Sequence, residues 1–233
     1  MSLLTARDEA PRGFRQMRAR KAIQLFRRLY PITDPYISGL SHLDQVARLI
    51  KGGATLIQLR DKHASPREFY RATCECVALA HHYGARIVVN DRVDIAIAAG
   101  ADGVHLGQDD LDPVAARGLL GPERIVGYST HNLDQAARAD GLPIDYIAIG
   151  PVFGTSTKVD PDPVVGLESV KAVRARVSKP LVAIGGITLG HAREVIAAGA
   201  DSVAVIADLY SKGDIEGRTH QYLTELDDGE VVG

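Results

Sequence analysis

Gln58, Arg60 and Lys62 fall at every second position of "QLRDK". On an extended chain that spacing turns three hydrogen-bond donors, two of them cationic, to one face. Other polar side chains close comparable apolar runs: Asn90 and Asp91 after "RIVV", Gln108, Asp109 and Asp110 after "GVHLG", Ser129 and His131 in "GYSTH", and Thr155, Thr157 and Lys158 in "GTSTK". Asp91 and Asp110 are hard oxygen donors of the kind Mg²⁺ accepts in ones and twos, its other positions going to water and phosphate oxygens. Cations beside a carboxylate-held Mg²⁺ would receive a highly charged anion, most simply a pyrophosphate. A second anion site is suggested at "IGGI" and at Ala207 and Asp208, where glycine backbone and a helix start can present N–H groups.

These side chains must be brought together by the elements that end on them. Short β-branched runs alternate with longer stretches of helical period, which predicts βαβ units and a parallel sheet. Strands are predicted over residues 29–34, 55–62, 86–91, 103–108, 124–130, 146–153, 180–187 and 202–207. The segment between the second and third opens Ser65-Pro66-x-Glu68 and closes on Gly84, as a helix should. "AAGADGV" (98–104) returns as "AAGADSV" (197–203), with "GGATLI" (52–57) as a looser copy, each a helix-ending Gly leading straight into a strand. Eight strand–helix pairs in sequence, with no Gly-x-Gly-x-x-Gly after the first strand, favour a single (β/α)8 TIM barrel of the α/β class over an open doubly wound sheet. Its strands would gather all their carboxyl ends at one mouth.

Composition narrows the function further. The chain has 233 residues, 45% of them hydrophobic, enough for one domain with a sizeable core. The net charge of -2 gives no general reason to expect nucleic acid or an anionic membrane as partner. Residues 1–28 are locally basic, with Arg and Lys in excess over Asp8 and Glu9, and read as an N-terminal extension, part helical, in place of a Ser-rich transit peptide. The barrel would occupy 29–210, and 211–233 a C-terminal helix with the acidic tail "LDDGEVVG". No apolar run approaches the ~18 residues of a membrane span, so a soluble cytoplasmic protein is expected. Cys74 and Cys76 point to different faces of one helix, which suits neither a disulfide nor zinc, and are expected as small core fillers.

Each chemical feature has an ordinary alternative when taken alone. Arg60 could form a rim ion pair with Asp61 or Asp91, "IGGI" could be a tight turn, His105 and His131 could be satisfied core or rim residues, and His81 and His82 could be a solvated helix end. Together these alternatives weaken, because several strands would have to place charge at the same end by accident.

The motifs "QLRDK", "VVNDRVDIA", "GVHLGQDD", "GYSTH", "GPVFGTSTK", "VAIGGI" and "GADSVAVIA", in this order over about residues 29–210, resemble those of the thiamine phosphate synthase family. The resemblance implies an enzyme joining 4-amino-2-methyl-5-(diphosphooxymethyl)pyrimidine to 4-methyl-5-(2-phosphooxyethyl)thiazole, with release of pyrophosphate by a dissociative mechanism. It implies that Gln58, Arg60, Lys62, Asn90, Ser129 and Lys158 hold the pyrimidine and its diphosphate, with Arg60, Lys62, Ser129 and Lys158 acting in catalysis and Leu59 and Asp61 also against the substrate. Asp91 and Asp110 would hold Mg²⁺. Thr155, Ser156, Thr157, Gly186, Ile206 and Ala207 would receive the thiazole phosphate or adjoining groups. A homodimer is a further implication. Gly154 stands where the family commonly has Pro, and Ala207 where Ser usually follows Val-Ile. Two alternatives remain: a thiazole tautomerase of the same superfamily, against which Arg60, Lys62, Asp91, Asp110 and Lys158 argue, and a non-catalytic ligand-sensing barrel, for which Ala207 is the only hint.

Overall fold

The computed structural model describes residues 27–155 and 162–227. The N-terminal extension as far as residue 26, the loop residues Ser156, Thr157 and Lys158, and the tail beyond Asp227 lie outside the described residues.

Eight strands, β1 (Leu29–Thr33), β2 (Leu56–Leu59), β3 (Arg86–Asn90), β4 (Gly103–Leu106), β5 (Ile125–Thr130), β6 (Tyr146–Ile149), β7 (Leu181–Ile184) and β8 (Ser202–Val205), pair in chain order into a closed barrel. Every pair is parallel, and β8 returns to β1 through Leu29↔Val203, Tyr30↔Ala204 and Pro31↔Val205. The α/β barrel expected from the alternating runs is therefore the fold. Around it, in chain order, lie α1 (Pro35–Ser38), α2 (His42–Lys51), α3 (Pro66–His82), α4 (Val93–Ala98), α5 (Pro113–Leu120), α6 (Leu133–Ala139), α7 (Gly166–Arg174), α8 (Leu189–Ala197), α9 (Ala207–Tyr210) and α10 (Ile215–Asp227). No described helix is long and apolar enough to cross a membrane.

The strands are shorter than the predicted runs: β2 ends at Leu59, not at residue 62, and β6 at Ile149, not at 153. Beyond β2 the polar residues Arg60 and Lys62 leave the ladder for the rim of the cavity, whereas beyond β6 Val152 stays buried in the core. Helix α3 starts as read, with Ser65 accepting from the Glu68 N–H, Glu68 reaching back to the Ser65 N–H, and Pro66 in the first turn. At its other end His81 pairs with Asp102 at 3.0 Å, while His82 stays exposed. Cys76 is fully buried and Cys74 half-buried on the same helix, both as free thiols. Burial pushes the Cys76 thiol up to about 12, so it behaves as a small apolar group.

Side chains of alternate strand positions separate into two cores. Ile57, Leu59, Ile87, Val89, Val104, Leu106, Val126, Ile147, Ile149, Leu181, Val203 and Val205 pack outward against the helices. Tyr30, Ile32, Leu56, Val88, Ile125, Tyr146, Ala148, Val182 and Ala204 fill the barrel interior. Tyr128, one residue before Ser129, packs with the outer layer. Gly127 leaves the room that Tyr146 occupies: a Cβ there would lie 2.0 Å from the Tyr146 Cζ and 2.3 Å from its hydroxyl oxygen.

The repeated Gly-Ala-Asp acquires a physical meaning at the floor of the barrel. Asp102 accepts from the Ile87 N–H at 2.8 Å, and Asp201 from the Leu181 N–H at 2.7 Å. Asp145, outside the repeat, does the same for Val126 at 2.8 Å. Each carboxylate thus clasps the start of the preceding strand, and each is met by a basic side chain: His81 on Asp102, Arg117 on Asp145, Arg174 on Asp201. Removing one carboxylate strands a half-buried N–H and a cation, and such losses are worth about 1–3 kcal/mol. Asp201→Ala is expected to lower the unfolding free energy by about 2 kcal/mol in urea titration, whereas Glu168→Ala, on an exposed pair of α7, changes it by less than about 0.5 kcal/mol.

Candidate active site

A cavity of about 880 Å³ opens among the carboxyl ends of the strands. It is lined by Gln58, Arg60 and Lys62 from the end of β2, Asn90 and Asp91 from β3, Asp109 and Asp110 after β4, and Ser129 and His131 from β5. Thr155 follows β6, Gly185 and Gly186 follow β7, and Ile206, Ala207 and Asp208 follow β8 on the same wall. The volume suits ligands of drug-like or larger size.

Arg60 and Lys62 are held by different carboxylates. Arg60 pairs with Asp34, not with Asp61 or Asp91. Asp34 is buried and also accepts from the Tyr36 and Ile37 N–H groups at the start of α1, so one carboxylate fixes both the guanidinium and the turn after β1. Lys62 pairs with Asp91. Asp91 has φ 63°, the only positive φ at a non-glycine residue among the described residues; Asp tolerates that left-handed conformation better than most residues, and here the turn sets its carboxylate beside Lys62. Its N–H donates to the His105 carbonyl at 2.8 Å.

Asp110 completes an acidic corner. Its Oδ2 accepts from the Gly107 N–H at 2.6 Å. Burial, joined by the neighbouring Asp91, holds its carboxyl above the usual carboxylate range, while Lys62 pulls it down. Two carboxylates from separate strands therefore crowd one corner, and a cation already moderates them.

Two expected substrate neighbours do not reach the cavity. Leu59 is fully buried between barrel and helices; exposing it to ligand would forfeit about 2 kcal/mol of burial. Asp61 turns to its own loop, accepting from the His63 and Ala64 N–H groups at 2.9 Å and meeting His42 at 3.3 Å. Both residues alternate with Gln58, Arg60 and Lys62, so the strand period sends them to the opposite face. Burial raises the Asp61 carboxyl, but those backbone N–H groups and His42 outweigh it and bring it below the ordinary value.

The glycines after β7 allow close approach. Gly186 has φ 64°, and a Cβ there would sit 2.3 Å from the Gly154 carbonyl oxygen, so the β6 and β7 loops meet backbone to backbone. His131 donates from Nδ1 to the Gly150 carbonyl at 2.8 Å. Asp208 takes Arg218 at 2.7 Å, the Tyr222 hydroxyl at 2.6 Å and the Leu189 N–H at 3.2 Å, tying the β8 exit to α10 and α8.

Beneath the mouth runs a polar chain that joins Gln58, Ser129 and His105, the last a satisfied core residue as one reading of the sequence had it, through two tyrosines that the sequence did not single out. The Gln58 side-chain amide donates to the Tyr30 hydroxyl at 3.2 Å; Tyr30 and Tyr146 hydroxyls are 3.1 Å apart; Tyr146 meets His105 Nδ1 at 2.8 Å; His105 Nε2 meets Ser129 Oγ at 2.8 Å. Among the described residues no buried side-chain nitrogen or oxygen lacks a partner. Burial pushes His105 down to about 4, with Asp110 opposing, so its imidazole is neutral at physiological pH.

A family model described as thiamine monophosphate synthase matches residues 29–209. The chain belongs to that family. It is 52% identical over 189 residues to a thiamine-phosphate synthase of Koribacter versatilis, covering 78% of this chain and 88% of the relative. A thiamine-phosphate synthase of Albidiferax ferrireducens is 45% identical over 188 residues, covering 80% and 86%. Among solved structures, thiamine phosphate pyrophosphorylase of Pyrococcus furiosus superposes with a TM-score of 0.80 at 34% identity, covering 91% of this chain and 98% of that one.

The barrel thus encloses a histidine whose neutral form the fold prefers. Between its ordinary value of 6.5 and about 4, the unfolded chain binds a proton at His105 that the folded one refuses, so stability falls as pH is lowered through that interval. Urea midpoints are expected to drop from pH 6.5 to pH 4, and the drop should be shallower in His105→Gln; an identical slope would show that His105 carries no such linkage.

Proposed function

We propose that the protein is a thiamine phosphate synthase, a transferase that joins 4-amino-2-methyl-5-(diphosphooxymethyl)pyrimidine to 4-methyl-5-(2-phosphooxyethyl)thiazole and releases pyrophosphate. The observation that carries this reading is that Arg60, Lys62, Asn90, Asp91, Asp110 and Ser129, from four strand ends, line one cavity in a chain of that family.

The chemistry asked of these residues is electrostatic. In a dissociative reaction the C–O bond to the diphosphate breaks first, leaving a pyrimidine-methyl cation stabilised by the ring's amino group, which the thiazole nitrogen then captures. Negative charge accumulates on the departing diphosphate. Arg60 and Lys62 are placed to meet it, the first already oriented by Asp34, and a positioned donor for developing charge is typically worth about 3 kcal/mol. Gln58 and Asn90 line the cavity and are assigned to hydrogen bonds with the pyrimidine. Thr155, Gly186, Ile206 and Ala207 line the same cavity and are assigned to the thiazole phosphate. Lys158, Ser156 and Thr157 are assigned to the same substrates on sequence alone.

The donor set at Asp91 and Asp110 fits Mg²⁺. Both are hard oxygen donors, and the Asp110 carboxyl, raised first by burial and further by Asp91, is one whose ionised form a divalent cation would favour. Among the described residues no third acidic, His or Cys side chain joins them, which leaves coordination positions for water and diphosphate oxygens. Mg²⁺ held there would supply charge neutralisation to the leaving group.

Incubating the protein with both substrates and Mg²⁺ is expected to yield thiamine phosphate and pyrophosphate. Isomerisation of a thiazole without condensation would point instead to a tautomerase, and no turnover of either kind to a sensing barrel. Asp91→Ala and Lys158→Ala should each lower kcat by about a hundredfold, far more than they lower stability; Arg60→Ala should lower kcat as much and also lower the melting temperature, because it leaves the buried Asp34 unpaired. Unchanged kinetics in a purified variant would remove that residue from the mechanism.

A further inference from the structure

The chain from Gln58 to Ser129 can be ordered in two directions, and Gln58 favours one. The Gln58 side-chain nitrogen can only donate, so the Tyr30 oxygen accepts from it. In the order this favours, the Tyr30 hydroxyl donates across the 3.1 Å to Tyr146, and the Tyr146 hydroxyl across the 2.8 Å to His105 Nδ1. A ring nitrogen that accepts carries no proton, which leaves the imidazole hydrogen on Nε2, 2.8 Å from Ser129 Oγ. Ser129 accepts that hydrogen and keeps its own hydroxyl proton for the cavity it lines. The opposite order would have Ser129 donate into the imidazole and turn a lone pair towards the substrate. For a departing diphosphate, a donor is useful and a lone pair is not.

We propose that His105 is a positioning residue: as its Nε2–H tautomer, fixed by Tyr146 and Tyr30, it receives the lone pair of Ser129 and points the Ser129 hydroxyl proton at the leaving diphosphate. This rests on the reaction proposed above. No proton is transferred along the chain. Burial favours the protonated phenols of Tyr30 and Tyr146, which keeps both as donors. Three independent features serve the arrangement. Tyr30 and Tyr146 are fully buried, so their order is kept from water, while His105 reaches the cavity wall. The Tyr146 ring lies over His105 at 5.5 Å between centroids with 24° between planes, and edge-on to Tyr30 at 5.8 Å and 89°. Gly127, between them on β5, surrenders the space that the Tyr146 hydroxyl fills.

The tautomer can be measured without any substrate. In the full-length protein labelled with ¹⁵N histidine, long-range ¹H–¹⁵N spectra at pH 7 are expected to show His105 with a protonated Nε2 and a bare Nδ1; a protonated Nδ1 overturns the proposal whatever the activity. The kinetic consequence is a double-mutant comparison. Tyr146→Phe should lower kcat by about tenfold with the KM for the thiazole phosphate unchanged, and should lower it no further in a Ser129→Ala background. Equal losses in both backgrounds, or none in either, would assign Tyr146 and His105 to packing alone. A wild-type protein that forms no thiamine phosphate while showing the expected tautomer would overturn the reaction and with it the role of the hydroxyl, and leave only the hydrogen-bond order.

Discussion

Parallel closure of the sheet is the constraint from which the site follows. Because β8 hydrogen-bonds to β1 in the same direction as every other pair, the eight carboxyl ends share one rim, and residues as distant in sequence as Gln58 and Ala207 face a single volume. Closure also removes any free sheet edge, so the rim carries charge without the burden of guarding an unpaired strand. The same geometry makes the interior narrow. Side chains there must interlock, and Gly127 opposite Tyr146 is the clearest case: one residue gives up its side chain so that another can cross the barrel.

Electrostatically the mouth is organised in pairs. Asp34 orients Arg60, and Lys62 moderates Asp91 and Asp110. Arg60 is therefore pre-aimed in a part-buried setting where charge interactions are stronger than in water, while Lys62 is held at the more exposed rim. The arrangement suits a ligand that brings several negative charges and leaves with them, since the protein has little rearrangement to make as charge shifts. The anchoring of α10 through Asp208, Arg218 and Tyr222 gives the β8 side of the mouth comparable firmness.

Much of the fold was legible because its signals are local. Runs such as "RIVVND" combine β-branched residues with an abrupt polar end, and "SPREF" carries a helix start whose hydrogen bonds form as read. Strand ends were harder, since "TLIQLRDK" continues its alternation after the ladder has stopped at Leu59. Within the site, the spacing of Gln58, Arg60 and Lys62 already implied that Leu59 and Asp61 face elsewhere, and the structure follows the spacing. Asp34 was hidden inside an apolar run, although Asp before Pro35 is a helix-start signal. The Tyr30 and Tyr146 hydroxyls were not legible at all. A tyrosine in a strand is equally at home inside or outside a barrel, and only the packing around Gly127 decides.

The carboxylate clasps beneath β4, β6 and β8 recur every second strand, and the corresponding place before β2 is filled by Thr55. The floor is thus built as a set of two-stranded staves, of which the first lacks the acidic rivet of the others. The β1–β2 pair is held by its ladder and by the Thr33 hydroxyl on the Gln58 carbonyl, with no carboxylate beneath it among the described residues.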